Sequence, residues 1–205
     1  VKKLVVFGRQ SIETASDLAE VQNVVDTAFG ESKQKMEDFA DTAVKTYGIS
    51  KLTAKQTGSN FMAMAAGMGL ANDSASDMAM ALTGLSADMA SFYNVGQDVA
   101  STALKSIFTG ETETLKQFGI VMTDANLQAY ALSKGITKST AYMSQAEKVQ
   151  LRYNYVMSQT ALAQGDFAKT SDSWANQTRI LSEQWKEFGA TIGTVLMNVL
   201  LPAVK

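Results

Sequence analysis

The chain has 205 residues, 46% of them apolar, so it is long enough to bury a sizeable core and too apolar for a disordered segment. Its net charge of −2 supplies no basic field for a phosphate backbone, which argues against nucleic-acid binding through a charged surface. The chain holds neither cysteine nor histidine, which excludes disulfides, thiolate metal sites and any nucleophile activated by an imidazole.

The one proline, Pro202, lies near the end, and alanine and methionine are abundant, so the backbone is free to be helical. Val1 carries no initiator methionine and no signal-peptide pattern follows it, while Leu200 to Lys205 stop inside an apolar stretch; both ends read as cut, and residues 1–205 as a fragment. In the first segment Leu18, Val21, Val25 and Ala28 recur at helical steps after a cap at Ser16. Gly30 interrupts, and Met36, Ala40, Ala43 and Tyr47 form a second helix that Gly48 closes. Residues 50–69 predict a third helix. Asp73 or Ser74 caps a fourth, in which Ala75, Met78, Leu82, Leu85, Met89 and Phe92 make an a/d stripe, the pattern of a helix lying along another helix. Gly96, Gly110, Gly119, Gly135 and Gly165 mark turns, and shorter helices fill 99–108, 111–118 and 124–133, with Val121 and Met122 as an extended link. The helical spacing returns at Ala146, Val149, Tyr153, Val156, Thr160 and Ala163. The last helix is the longest: Trp174, Thr178, Leu181, Trp185, Phe188, Ile192, Val195 and Val199 alternate by four and three. No stretch alternates with period two for long enough to make a strand. The expectation is an all-α fold: glycine-punctuated helices forming a helical bundle, long amphipathic helices at the C-terminal end, and sub-bundles at 1–95 and 96–205.

Few residues invite a chemical reading. Gly110-Glu111-Thr112-Glu113-Thr114 lacks the lysine and spacing of a phosphate loop, and its carboxylates would repel phosphate; it reads as a helix start, with Glu111 and Glu113 at the positive end of the dipole. Gly67-Met68-Gly69 follows no strand, so it fails as a dinucleotide fingerprint and reads as a helix terminus. Asp73 with Asp77 and Glu183 with Glu187 stand four residues apart, a spacing that suits a hard cation or an acid–base pair, but all four read as members of solvated faces. Met62, Met64, Met68, Met78, Met80 and Met89 crowd into one region, which reads as core packing or as an adaptable surface for different neighbours. The run from Gly189 to Val204 has no charge but is short of the roughly 20 apolar residues of a membrane span, and burial in a bundle is its expected fate. No catalytic residue, cofactor or metal ligand is expected.

Several strings together resemble one family. They are Ala15-Ser16-Asp17-Leu18-Ala19-Glu20-Val21-Gln22-Asn23-Val24-Val25-Asp26 with Phe29-Gly30, and Ala81-Leu82-Thr83-Gly84-Leu85-Ser86-Ala87-Asp88-Met89-Ala90-Ser91-Phe92-Tyr93-Asn94. Further on stand Phe108-Thr109-Gly110-Glu111-Thr112-Glu113-Thr114-Leu115-Lys116 with Phe118-Gly119-Ile120, and Tyr130-Ala131-Leu132 with Gly135-Ile136. Tyr155-Val156-Met157, Gly165-Asp166-Phe167-Ala168-Lys169-Thr170, Ser173-Trp174-Ala175-Asn176-Gln177 and Leu201-Pro202-Ala203 complete the order. Taken in that order, the blocks resemble the core region of tail tape measure proteins of long-tailed phages and prophages, of the lactococcal-phage type.

The resemblance implies a virion structural protein, not an enzyme. Copies would form an extended helical, coiled-coil core in the lumen of the tail tube, around which tail-tube subunits polymerise with tail assembly chaperones. The ruler would set tail length and leave the tube when DNA is ejected. Its places would be the virion and, during assembly, the host cytoplasm; its partners would be itself, the tube protein, the chaperones and, in the full-length protein, the host membrane, with no sequence-specific nucleic acid. The ruler property belongs to the parent protein, because these short helices predict a segment that folds back into a bundle. The competing class is a membrane-active helical protein that uses the 189–204 run and the methionine-rich helices to aid passage through the host envelope. A third class, a peptidoglycan hydrolase, finds no convergent acids in the sequence.

Overall fold

The computed structural model describes the backbone of residues 2–204 and the side chains of residues 6–199. The described residues are all-α: eleven α-helices and two short 3-10 turns, with no strand. In chain order they are α1 (Lys2–Phe29), α2 (Lys33–Tyr47), α3 (Lys51–Gly67), α4 (Asn72–Phe92), α5 (Gln97–Leu104), α6 (Ser106–Thr109), α7 (Glu113–Lys116), α8 (Asp124–Ser133), α9 (Gln145–Gln159), α10 (Asp166–Lys169) and α11 (Trp174–Val204). Two compact units form, one from residues 1–59 with 170–205 and the other from residues 60–169. This division differs from sub-bundles at 1–95 and 96–205: α1 packs on α11 from the far end of the sequence, and α4 packs on α5 across the turn at Gly96.

In the first unit α1 is one unbroken helix from Lys2, so Ser16 lies in its second half and caps nothing. The chain reverses at Gly30, whose φ of 53° is open to glycine without strain, and α2 ends on Gly48 with φ 63°. Val25, Phe29, Met36, Ala40 and Ala43 close the core between α1 and α2. Beside it the Lys55 ammonium is buried, 2.7 Å from Glu37 Oε2 and 2.5 Å from Gln22 Oε1, so its charge is both paired and hydrogen-bonded.

The second unit is built around α4. From Leu82 to Ala90 every residue of that helix is buried, so its polar members must be satisfied locally. The Thr83 hydroxyl donates to the Ala79 carbonyl at 2.7 Å, the Ser86 hydroxyl donates to the Thr83 carbonyl at 2.7 Å, and Gln97 donates to the Ser86 hydroxyl at 2.9 Å. No side chain caps the start of α4; Asp73 lies inside the first turn, where its charge meets the positive end of the helix dipole. Phe61, Leu104, Phe108, Leu115, Ile120 and Phe167 fill the core of this unit. Tyrosine hydroxyls then fasten irregular backbone: Tyr93 donates to the Phe118 carbonyl at 3.0 Å and Tyr155 to the Val121 carbonyl at 2.9 Å. Val121 and Met122 are an extended link, Met122 buried and Val121 exposed.

Candidate interaction surface

The stripe expected on α4 is in the core. Ala75, Met78, Leu82, Leu85 and Met89 are buried, and only Phe92, at the end, is exposed. Of the methionines, Met62, Met78 and Met89 are buried and Met64, Met68 and Met80 are half-buried.

The stripe on α11 has the opposite fate. Trp174, Leu181, Trp185, Phe188, Val195 and Val199 face solvent, from 51% exposed at Phe188 to 87% at Trp174, and Ile192 is half-buried. The helix packs instead through its other face, where Asn176, Gly189, Ala190 and Gly193 are buried. The cause is the close approach of α1. A Cβ on Gly193 would lie on the Ser11 carbonyl, and one on Gly189 would stand 3.4 Å from the Ser11 hydroxyl. Two glycines four residues apart let one backbone settle on the other, and that contact turns the large apolar side chains outward.

Glu183 and Glu187 fix this setting of α11. They lie on the packed side, not on a solvated face: the Glu183 side chain is only 12% exposed. Ser50 N–H donates to Glu183 Oε2 at 3.2 Å and Lys51 N–H donates to Glu187 Oε1 at 3.0 Å, so α11 caps the start of α3 with two carboxylates. Asp73 and Asp77 are exposed, as expected of a solvated face. The start of α11 is held locally, with Ser173 Oγ accepting from Asn176 N–H at 3.2 Å and the Asn176 amide donating to Thr170 Oγ1 at 2.8 Å.

A cavity of about 400 Å³ lies beside this contact, lined by Thr14, Leu18, Lys51, Glu187, Ala190 and Thr194 among others. Its charges are engaged. Lys51 Nζ is 2.6 Å from Asp41 Oδ1, and their hydrogen bond holds the ammonium above its usual pKa and the carboxyl below its own. Lys186 Nζ is 2.6 Å from Glu183 Oε1.

In the second unit, Asp88 is buried on α4 and accepts from Gly165 N–H at 2.8 Å and Phe167 N–H at 3.2 Å. Burial raises its carboxyl pKa, against the pull of those two amides. In the run from Gly110, Glu111 accepts from the backbone amides of Glu113 and Thr114 and from the Thr114 hydroxyl, all ahead of or within α7, so the run is a helix start. Those bonds, led by the Thr114 hydroxyl, hold the Glu111 carboxyl below its usual pKa. Arg152 covers Gly110 so closely that an added Cβ would stand 2.6 Å from its guanidinium, whose pKa burial lowers.

Among the described residues no group of three or more acidic side chains is placed to hold a metal ion, and no helix is long and apolar enough to cross a membrane. The side chains of Leu201-Pro202-Ala203, and the end of the uncharged 189–204 run, lie outside the described residues. Comparison with protein-family models, with curated proteins and with solved structures gave no match.

Proposed function

We propose that the chain is a structural component of a long-tailed phage or prophage tail, a helical segment of the tape measure protein that sets tail length during assembly and leaves the tube at DNA ejection. The observation that carries this reading is the outward stripe of α11. A helix already seated in its own unit keeps a second, apolar face from Trp174 to Val199, as a protein that packs against further helices or a tube wall requires. The ordered sequence blocks supply the phage assignment, and the fold fits it. Its partners are other copies of itself, tail-tube subunits and tail assembly chaperones, and its places are the lumen of the tail tube and, before that, the host cytoplasm.

The test is genetic and structural together. The chain is expected in purified tails by mass spectrometry. Shortening helical stretches elsewhere in the same reading frame is expected to shorten the tails seen by electron microscopy, by about 1.5 Å for each residue removed. Tails of normal length and normal infectivity from a strain lacking the chain would end this reading.

A further inference from the structure

The geometry points to a binding site for a small carboxylate ion between α8 and α9 of the second unit, with Lys148 and Arg152 as the groups that hold its head. The site is independent of the tail reading and goes beyond it.

The first observation is a pair of positive charges with no acid to balance them. Lys148 and Arg152 stand four residues apart on α9, so their side chains leave the same face of the helix one turn apart. Like charges at that spacing repel, and both residues are half-buried, so water screens them only in part. Other lysines of the chain are matched: Lys51 stands on Asp41, Lys55 on Glu37 and Lys138 on Glu147. Among the described residues the Lys148 ammonium has no ion pair and no hydrogen bond, because its sequence neighbour Glu147 is taken by Lys138 and the Ser144 amide. Arg152 donates only from Nη1, to the carbonyls of Ile107 and Phe108 at 3.4 Å each, long for a charged donor. Its Nε and Nη2 have no acceptor, so most of the guanidinium fork is unspent.

The second observation is the space in front of those charges. A cavity of about 250 Å³ lies beside them, with buried Leu127 and Leu151 on its apolar side, Thr140 and Ala141 of the 3-10 turn on another, and exposed Asp124 at the start of α8. Bonds that involve neither cation hold it open. Thr140 N–H donates to Gln128 Oε1 at 2.9 Å, Lys138 Nζ to Glu147 Oε2 at 2.7 Å, and the Tyr130 hydroxyl to the Asn154 carbonyl at 3.1 Å. A ligand would therefore enter a preformed pocket and order little of the protein.

The lining selects the class of ligand. Asp124 attracts Arg152 across the cavity without forming an ion pair, so two cations face one carboxylate and a single positive charge is left over. A monoanion balances that surplus, whereas a phosphate dianion brings a second negative charge against Asp124. A carboxylate also matches the planar fork of arginine, and Leu127 and Leu151 offer apolar surface to a short hydrocarbon body. The volume is below the roughly 300–1,000 Å³ of sites for drug-sized ligands, which confines the occupant to an acid of a few carbons.

The test is an NMR titration of the labelled full chain with sodium propionate, sodium chloride being adjusted to hold the ionic strength constant. The amide signals of residues 140–141 and 148–152 should shift and saturate, with half-effect at roughly 1–10 mM. Lys148→Gln should weaken binding about fivefold or more, and Asp124→Asn, which removes the opposing carboxylate, should tighten it about twofold. Arg152→Lys keeps the charge and loses the fork, so it should weaken binding as well. Arg152 also covers Gly110, so if that variant fails to fold, Lys148→Gln carries the test alone. No saturable shift by roughly 50 mM, phosphate binding more tightly than propionate, or wild-type affinity in Lys148→Gln would each overturn the inference. None of those outcomes bears on whether tail length follows the reading frame, so the two ideas fail separately.

Discussion

Asp88 joins two stretches of sequence 77 residues apart, from the C-terminal part of α4 to the amides that open α10. Its removal in Asp88→Ala leaves the amides of Gly165 and Phe167 without their acceptor, at a cost of about 1–3 kcal/mol in urea unfolding. The pH dependence has a definite sign. Burial lifts the native carboxyl above the ordinary aspartate value of 3.8, so the folded state holds the proton more tightly than the unfolded chain. This group's contribution is therefore greatest below 3.8 and declines as the pH rises through the native value. The difference in stability between wild type and Asp88→Asn, followed across that range, should shrink or reverse as the pH rises; a flat difference would refute the assignment. Two glycines make a second pair of tests. Gly193→Ala puts a methyl group onto the Ser11 backbone and should cost roughly 1–3 kcal/mol, whereas Gly8→Ala in the same unit meets nothing within 4 Å and should stabilise α1 by about 0.5–1 kcal/mol. Nothing in the spacing of Asp88 or Gly193 marked them in advance. Each acts on a residue distant in sequence, and that information lies in the packing.

At the scale of the element, local signals are legible in the sequence. The 3-4-3 spacing of α4, the closure of α2 by Gly48 and the span of α8 follow from side-chain periodicity and turn chemistry alone. Ser144-Gln145-Ala146-Glu147 is a capping box written in the sequence, and it opens α9 with Ser144 Oγ accepting from Glu147 N–H and Glu147 accepting from Ser144 N–H. Ser144→Ala should cost about 1 kcal/mol, measured by thermal unfolding. Lys138, with the Ser144 amide, holds the Glu147 carboxyl at about 2, down from 4.5, so the contribution of this cap is whole above 4.5 and lost as the pH falls toward 2. Amide protection at the start of α9, taken relative to the intrinsic exchange rate at each pH, should fall across that interval in the wild type and not in Glu147→Gln. Ser16 shows the converse. It resembles a cap, but the helix around it is already formed, because Ser11 and Ala15 on its N-terminal side are buried against neighbours. Periodicity marked the stripe on α11 as a helix-packing face, and in the structure most of that stripe is exposed. It carried no information on which face of α11 its own unit would use, and two small residues, Gly189 and Gly193, seat the opposite face on α1.

At the scale of the whole molecule, the glycines marked where the chain turns and were silent on which helices return to one another. Gly96 is a natural boundary on composition, but α4 and α5 meet across it, and α1 finds its most extensive partner, α11, only after residue 170. A truncation experiment separates the two divisions. Residues 1–95 part α1 from α11 and α4 from α5, so that piece should lose cooperative thermal unfolding, while residues 60–169 should keep it. Cooperative unfolding of 1–95 together with a molten 60–169 would reverse the assignment.

The pairing of α1 with α11 has a mechanical corollary. Traction on the polypeptide from both sides of the 60–169 segment is carried across the contacts of α11 with α1, α2 and the start of α3, so the 60–169 unit bears no tension until those contacts part. Stretched lengthwise, the molecule should yield in two events, the outer clasp first and the enclosed unit second.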